Sequence, residues 1–197
     1  VAFHFPDHPV SAEYRAVRDE IRRQFEESGP RVVLFTAAAP VCGTTTVLLN
    51  TAASLVHDHG TKVLIVDANP ARPTLARRLG VNDSPGLSDV LAQTVPVAWA
   101  IQPTAVANLH VLAAGGPGDG TAPAAGADFP RLLAQLRQWF DWVLVDGGVW
   151  DDTSPRSGLG AAADAVYLVA RQGEIDRPEF AGLRSTITSA GGLLRGY

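Results

Sequence analysis

The chain has 197 residues, 46% of them hydrophobic, with a formal net charge of -4 and a pI near 5.7. That length and apolar content suit one globular domain with a sizeable core, and the acidic balance gives no reason to expect nucleic-acid binding. The lone Cys42 excludes an internal disulfide framework and fits a reducing compartment; no apolar run approaches the roughly 20 residues of a membrane-spanning helix, and no signal peptide is legible.

Residues 11–27 read as an amphipathic, charged helix, capped by Ser11, with Val17, Ile21 and Phe25 on one apolar face and Gly29-Pro30 ending it. A strand follows at 32–36, then a tight loop and a helix at 44–58 closed by Gly60. Val63-Leu64-Ile65-Val66-Asp67 reads as a buried parallel strand, a continuous apolar run ending in a polar residue. Pro73 opens a short helix to Leu79, stopped by Gly80, and Ser84-Pro85-Gly86 turns into another at 87–92. A short strand is expected at 109–113. Residues 115–127, rich in Gly, Pro and Ala, read as a loop. A helix at 129–139 leads to a strand at 142–146, a polar loop at 147–158, a strand at 165–170 and a helix at 177–190; the last residues, from Leu193, read as the start of one more strand. Strands and helices alternate throughout, with no internal repeat and no second domain. The predicted fold is α/β: one doubly wound, mostly parallel sheet with helices on both faces. A chain that starts at Val1 and contains no methionine is expected to be an excerpt or a processed product.

The most informative stretch is Thr36-Ala37-Ala38-Ala39-Pro40-Val41-Cys42-Gly43-Thr44-Thr45-Thr46. Strand, tight loop and helix form the context of a phosphate-binding loop. The pattern G-x-x-x-x-G-K-[ST] would place its first glycine at Ala38, its second at Gly43, its lysine at Thr44 and its hydroxyl at Thr45; only Gly43 and Thr45 fit. Backbone N–H groups and a helix N-terminus can still bind an anion there, and Thr44, Thr45 and Thr46 add hydroxyls. The lysine's positive charge on the β- and γ-phosphates is gone, which should cost several kcal/mol of transition-state stabilisation. Val41 is a second obstacle: if the loop needs positive φ there, a β-branched residue is disfavoured and the loop is expected to change shape.

These motifs together resemble the cytoplasmic domain of bacterial tyrosine (BY) kinases, the partition-ATPase-like branch of phosphate-loop proteins that accompanies capsule and exopolysaccharide chain-length regulators. The resemblance runs from about Ala12 to about Ala190. Thr36 to Thr46 is similar to the family's T-S-A-x-P-G-x-G-K-S-T, and Val63 to Leu75 to its V-L-L-I-D-A-D-x-R-x-P-x-L, the more specific of the two. Pro85-Gly86-Leu87-Ser88-Asp89-Val90-Leu91 matches P-G-L-S-D-V-L and disfavours a free-standing partition-like switch. Ala100 to Thr104 and Asn108 to Gly115 extend the match, and Phe140-Asp141-Trp142-Val143-Leu144-Val145-Asp146 is similar to Y-D-x-V-I-I-D. The departures are Val41 for a glycine, Thr44 for the lysine, Asn69 for the second acidic residue, and Asp146-Gly147-Gly148-Val149 for D-T-P-P. The E-x-x-R-x-x-R oligomerisation motif keeps Arg15 and Arg18 but has Ala12 at its glutamate, with Glu13 alongside. The tyrosine cluster is reduced to Tyr197.

What the resemblance implies follows residue by residue. Gly43, Thr44, Thr45 and Thr46 would bind Mg-ATP or Mg-ADP; Thr45, Asp67 and Asp146 would hold the magnesium; Asp67 would be catalytic in an active enzyme. Arg15 and Arg18 would mediate homo-oligomerisation. The expected partner is a polysaccharide co-polymerase membrane protein or a fused membrane domain, which would hold the chain in the cytoplasm at the inner face of the membrane. With its motifs degenerate, the chain reads as a pseudokinase acting as a regulatory or oligomerising module. The alternative is an active Mg-ATP-dependent tyrosine autokinase, with an arginine such as Arg72 standing in for the lysine, since Lys62 is the only lysine and starts its strand at the end away from the site. Asp67 and Asp146 read equally as strand-end residues that cap neighbouring loops, and Arg15 and Arg18 as a solvated face shared with Arg22 and Arg23. Cys42 sits at a helix N-terminus, which favours a thiolate, though a lone cysteine in such a loop is more often incidental. His57 and His59, two apart on a helix, are poor joint metal ligands. Trp139 and Trp142 read as core packing.

Overall fold

The computed structural model describes residues 8–25, 29–57, 60–69, 71–116, 128–150 and 156–197, the side chains of 156 and 157 excepted. In chain order the elements are α1 (Pro9–Arg23), β1 (Arg31–Ala37), α2 (Thr44–Val56), β2 (Val63–Asp67), α3 (Leu75–Leu79), α4 (Leu87–Leu91), α5 (Val97–Ala100), β3 (Ile101–Pro103), β4 (Leu109–Leu112), α6 (Asp128–Leu136), β5 (Trp142–Val149), α7 (Arg156–Ala162), β6 (Ala165–Val169), α8 (Pro178–Ser189) and β7 (Leu194–Gly196). The seven strands form one sheet in the order β3-β4-β2-β5-β1-β6-β7. Every pairing is parallel except β3 with β4. The expected doubly wound α/β sheet is therefore present.

Successive strand side chains point to opposite faces, so β1 feeds two cores. Val33 and Phe35 join Ile21 of α1, Leu48 and Leu55 of α2, Ile65 and Leu144 on one side. Val32 and Leu34 join Phe129 and Leu136 of α6, Leu159 of α7, Phe180 and Ile187 of α8 on the other. Both faces of β1, β2 and β5 are covered, which is why their sequences read as apolar runs rather than alternations. Burying one such side chain stabilises by about 1.5–3 kcal/mol.

Several boundaries differ from the sequence reading. α1 begins at Pro9, whose fixed φ suits the first helical position, with His8 as its cap, its Nδ1 accepting from the Val10 N–H. Ser11, expected as the cap, is buried inside the helix, which ends at Arg23, so Phe25 leaves it and packs edge-on against Trp142 at 5.7 Å. α2 ends at Val56, before the expected 58. β5 runs on through Gly147 and Gly148 to Val149, where a loop was expected. Of the two expected loops, residues 117–127 and 151–155 lie outside the described residues. The short α5, the antiparallel β3 and α7 carried no periodic signal long enough to be predicted, and the strand expected at the end of the chain is β7.

The extension of β5 has a steric cause. A Cβ on Gly147 would stand 2.8 Å from Leu34 Cδ1, and one on Gly148 would stand 2.6 Å from the Asn69 side chain, at a φ of +64°. The two glycines let the strand slide past β1 with a register shift between Phe35 and Ala37, and Thr36 Oγ1 donates to the Gly148 carbonyl at 3.0 Å.

Candidate functional site

The loop between β1 and α2 lies at the carboxyl ends of the parallel strands, where open α/β sheets take their ligands. Gly43 opens α2 at φ 93°, and a Cβ there would meet nothing within 4 Å, so its glycine serves the backbone conformation rather than packing. Val41 adopts φ 65° with its side chain 74% exposed. The loop was expected to change shape to spare this β-branched residue; instead it keeps the left-handed turn, and the backbone bears the strain. The β6–α8 connection holds it there: Arg171 Nη2 donates to the Val41 carbonyl at 3.0 Å, and Cys42 Sγ donates to Glu174 Oε2 at 3.6 Å.

Asp67 and Asp146 end adjacent strands and pair in register, yet they do different things. Asp67 turns to α3: its Oδ2 accepts from the Thr74 and Leu75 N–H groups at 3.0 and 3.1 Å, and its Oδ1 accepts from the Asn69 N–H at 3.2 Å. It fastens the first turn of a helix, close to the loop-capping role weighed against magnesium binding in the sequence reading. Asp146 faces the loop, its Oδ2 accepting from the Thr45 hydroxyl at 2.6 Å and its Oδ1 from the Gly148 N–H at 3.1 Å. Burial pushes the Asp67 carboxyl up to about 6, the Asp146 charge adding to this and the three N–H donors opposing it. Burial also raises Asp146, against the Thr45 hydroxyl, the Gly148 N–H and the Arg78 charge.

An open cleft of about 390 Å³ is lined by the loop, Thr44 to Thr46, Asp146, Thr74 and two cations, Arg72 and Arg78. Arg78 Nη1 donates to Thr46 Oγ1 at 3.1 Å, joining α3 to the first turn of α2. Asn69, at the family's second acidic position, abuts Gly148 and donates through Nδ2 to the Arg72 carbonyl at 3.3 Å. The cleft brings together Gly43, Thr44, Thr45, Thr46 and Asp146, residues singled out from the sequence, and Arg72. Sequence reasoning missed Arg78 and Thr74, because nothing in a five-residue helix says which side faces a loop thirty positions earlier.

The donor set is compatible with a magnesium–nucleotide at this point. Thr45 Oγ1 and Asp146 Oδ2 already meet, a hydroxyl and a carboxylate oxygen of the hard type that magnesium takes beside water and phosphate. Asp67 does not line the cleft: it is buried, with its oxygens turned to the Asn69, Thr74 and Leu75 N–H groups. Among the described residues no group of three or more His, Cys, Asp and Glu side chains is arranged to hold a metal unaided.

No protein-family model matches the chain. The tyrosine-protein kinase wzc of Salmonella typhimurium is 28% identical over 158 residues, covering 80% of this chain but 22% of that protein. The putative tyrosine-protein kinase CapB of Staphylococcus aureus is 23% identical over 192 residues, 97% of this chain and 84% of that protein. Among solved structures, the kinase domain of the Escherichia coli tyrosine kinase ETK superposes with a TM-score of 0.89 at 24% identity, over 99% of this chain and 76% of that one. The chain is similar in sequence to bacterial tyrosine-protein kinases and shares their fold. Its sheet is also that of the septum site-determining protein MinD from Pyrococcus horikoshii, solved with Mg-ADP, at a TM-score of 0.72 and 23% identity over 84% of this chain and 68% of that one. The chain thus spans under a quarter of the Salmonella kinase's length and most of CapB's.

Other expectations fare unevenly. Arg18 of the oligomerisation motif folds onto its own chain, donating to the Ser54 carbonyl of α2 at 3.1 Å and to Asp19 at 2.8 Å, its side chain 15% exposed. Arg15 lies one turn earlier on α1 and is exposed. Burial raises the Cys42 thiol, and the Glu174 carboxylate adds to it, so the expected thiolate is not favoured. Trp142 and Trp150 are buried, but Trp139, expected in the core, is 38% exposed. Lys62 precedes β2, at the opposite end of the sheet from the cleft. His59 lies outside the described residues. No helix among them is long and apolar enough to cross a membrane.

Proposed function

We propose that this chain is a kinase-fold regulatory module of exopolysaccharide or capsule assembly, one that takes a magnesium–nucleotide in the cleft but transfers no phosphoryl group. The observation that carries the reading is Thr44. The position that would hold a lysine carries a hydroxyl, and the only lysine of the chain lies at the far end of β2. Bound magnesium would neutralise phosphate charge and rest on Thr45 and Asp146. Gly43 and the α2 amides orient the phosphates. Asp67 is buried beneath α3 and does not line the cleft, so an attacking hydroxyl in the cleft does not meet it. Catalysis of phosphoryl transfer is almost wholly positioning and charge stabilisation, so a cleft without the lysine and without Asp67 in its lining favours binding over turnover.

The relatives' names support the setting. A polysaccharide co-polymerase membrane protein, or a membrane segment fused to this chain, is the proposed partner; it would place the domain at the cytoplasmic face of the membrane, with homo-oligomers built through the α1 face bearing Arg15 and Arg18. The alternative, an active tyrosine autokinase, requires the arginines of the cleft to substitute for lysine. Calorimetric titration with Mg-ADP and Mg-ATP, followed by phosphotyrosine detection after incubation with Mg-ATP, separates the two. Binding heat with no phosphotyrosine is the expected result. A phosphotyrosine signal overturns the regulatory reading, and no heat up to millimolar nucleotide removes the nucleotide from it.

A further inference from the structure

We propose that Arg78 supplies the positive charge that the loop lacks at Thr44, so that the cleft holds the diphosphate of a nucleotide between the first turn of α2 and the side of α3. The inference rests on the reading that the cleft takes a phosphorylated nucleotide, and adds which residue binds it. Three observations carry it. Arg78 is fixed at the loop by its hydrogen bond to Thr46 Oγ1, so its guanidinium stands at the first turn of α2, whose residues line the cleft. Arg78 and the three threonines line the same 390 Å³ cavity, whereas its neighbour Arg77 does not line it. Finally, α3 is held in place: Asp67 fastens its first turn, Leu75 and Ala76 are buried, and Gly80 closes it at φ 70°.

A guanidinium is suited to the task. It is charged at any physiological pH and its N–H fork matches two phosphate oxygens at once, whereas an ammonium is a point charge. The charge therefore enters from α3 instead of from the loop, a relocation that sequence comparison at position 44 reads as a loss.

The test is calorimetric titration of Mg-ADP into the full chain and into Arg78→Ala, Arg77→Ala, Arg78→Lys and the double variant Arg78→Ala/Thr44→Lys. Arg78→Ala is expected to weaken binding by about tenfold or more, the scale of a charge-assisted hydrogen bond. Arg77→Ala should stay within about twofold, because an exposed charge outside the cleft is screened. Arg78→Lys should fall between, and a lysine restored at position 44 should recover binding lost with Arg78. Equal affinity in Arg78→Ala and the parent overturns the proposal while leaving the nucleotide reading intact. Equal losses in Arg77→Ala and Arg78→Ala, reporting a disturbed α3, overturn it too. No binding by the parent removes both.

Discussion

Replacing Val41 by glycine should make the protein more stable, although it deletes a hydrophobic side chain. Val41 sits at φ 65° and is 74% exposed, so truncation gives up little packing. Holding a non-glycine residue in the left-handed region costs about 1–3 kcal/mol, the upper part of that range applying to a β-branched one. A glycine loses more backbone freedom on folding, an offset of about 0.5–1 kcal/mol. The hydrogen bond from Arg171 reaches the Val41 carbonyl and survives the change. The net expectation for Val41→Gly is a gain of about 1 kcal/mol, or about 2–4 °C in Tm for a chain of this size. Urea unfolding and a thermal melt of parent and variant side by side measure it. An unchanged or lowered midpoint would refute the reasoning, since it would mean that the loop relaxes out of the left-handed turn at no cost.

Further outcomes follow from the same geometry. Gly148→Ala should destabilise by about 2 kcal/mol or more, because its Cβ would collide with Asn69 at 2.6 Å in a left-handed backbone; denaturant unfolding reads it, and a near-neutral result would show that Asn69 swings aside. Arg137 makes a two-pronged contact with Asp164 at 2.6 and 3.0 Å, and Asp164 also accepts the Val32 N–H at 2.7 Å. Both side chains are about three-quarters buried, so Arg137→Ala should cost about 1–2 kcal/mol, a difference that shrinks little in 0.5 M salt. Asp67 binds its proton more tightly folded than unfolded, so its ionisation costs stability: the contribution is fully present below the ordinary carboxylate range and is lost as pH rises through about 6. The advantage of the parent over Asp67→Asn should therefore fall by about 2 kcal/mol between pH 4.5 and 7.5 in urea titrations, and a constant difference would exclude it.

Much of this molecule was written along the chain. Uninterrupted apolar runs rich in β-branched residues at Val32–Phe35, Val63–Val66 and Trp142–Val145, alternating with helical segments, read as strands covered on both faces of a parallel sheet. The loop's place between β1 and α2 and the absence of its lysine were equally legible, because a local pattern fixes which strand end each residue occupies; the hydrogen bond from Thr45 to Asp146 was not. Where a side chain points once there was decided by partners far off in sequence. Asp67 turns to α3, away from the cleft lining, because the packed elements bring the Thr74 and Leu75 amides against its Oδ2. β5 outruns its expected end because Gly147 and Gly148 pass Leu34 and Asn69, residues from two other segments. Val41 stays left-handed because β1, α2 and Arg171 together fix the loop. Arg78 faces Thr46 because the packing of Leu75 sets the rotation of α3 on the sheet. Propensity and periodicity act over a few residues and so determine the elements; the direction of a polar side chain depends on which donor or acceptor the packed elements bring within 3 Å, and only the tertiary structure contains that.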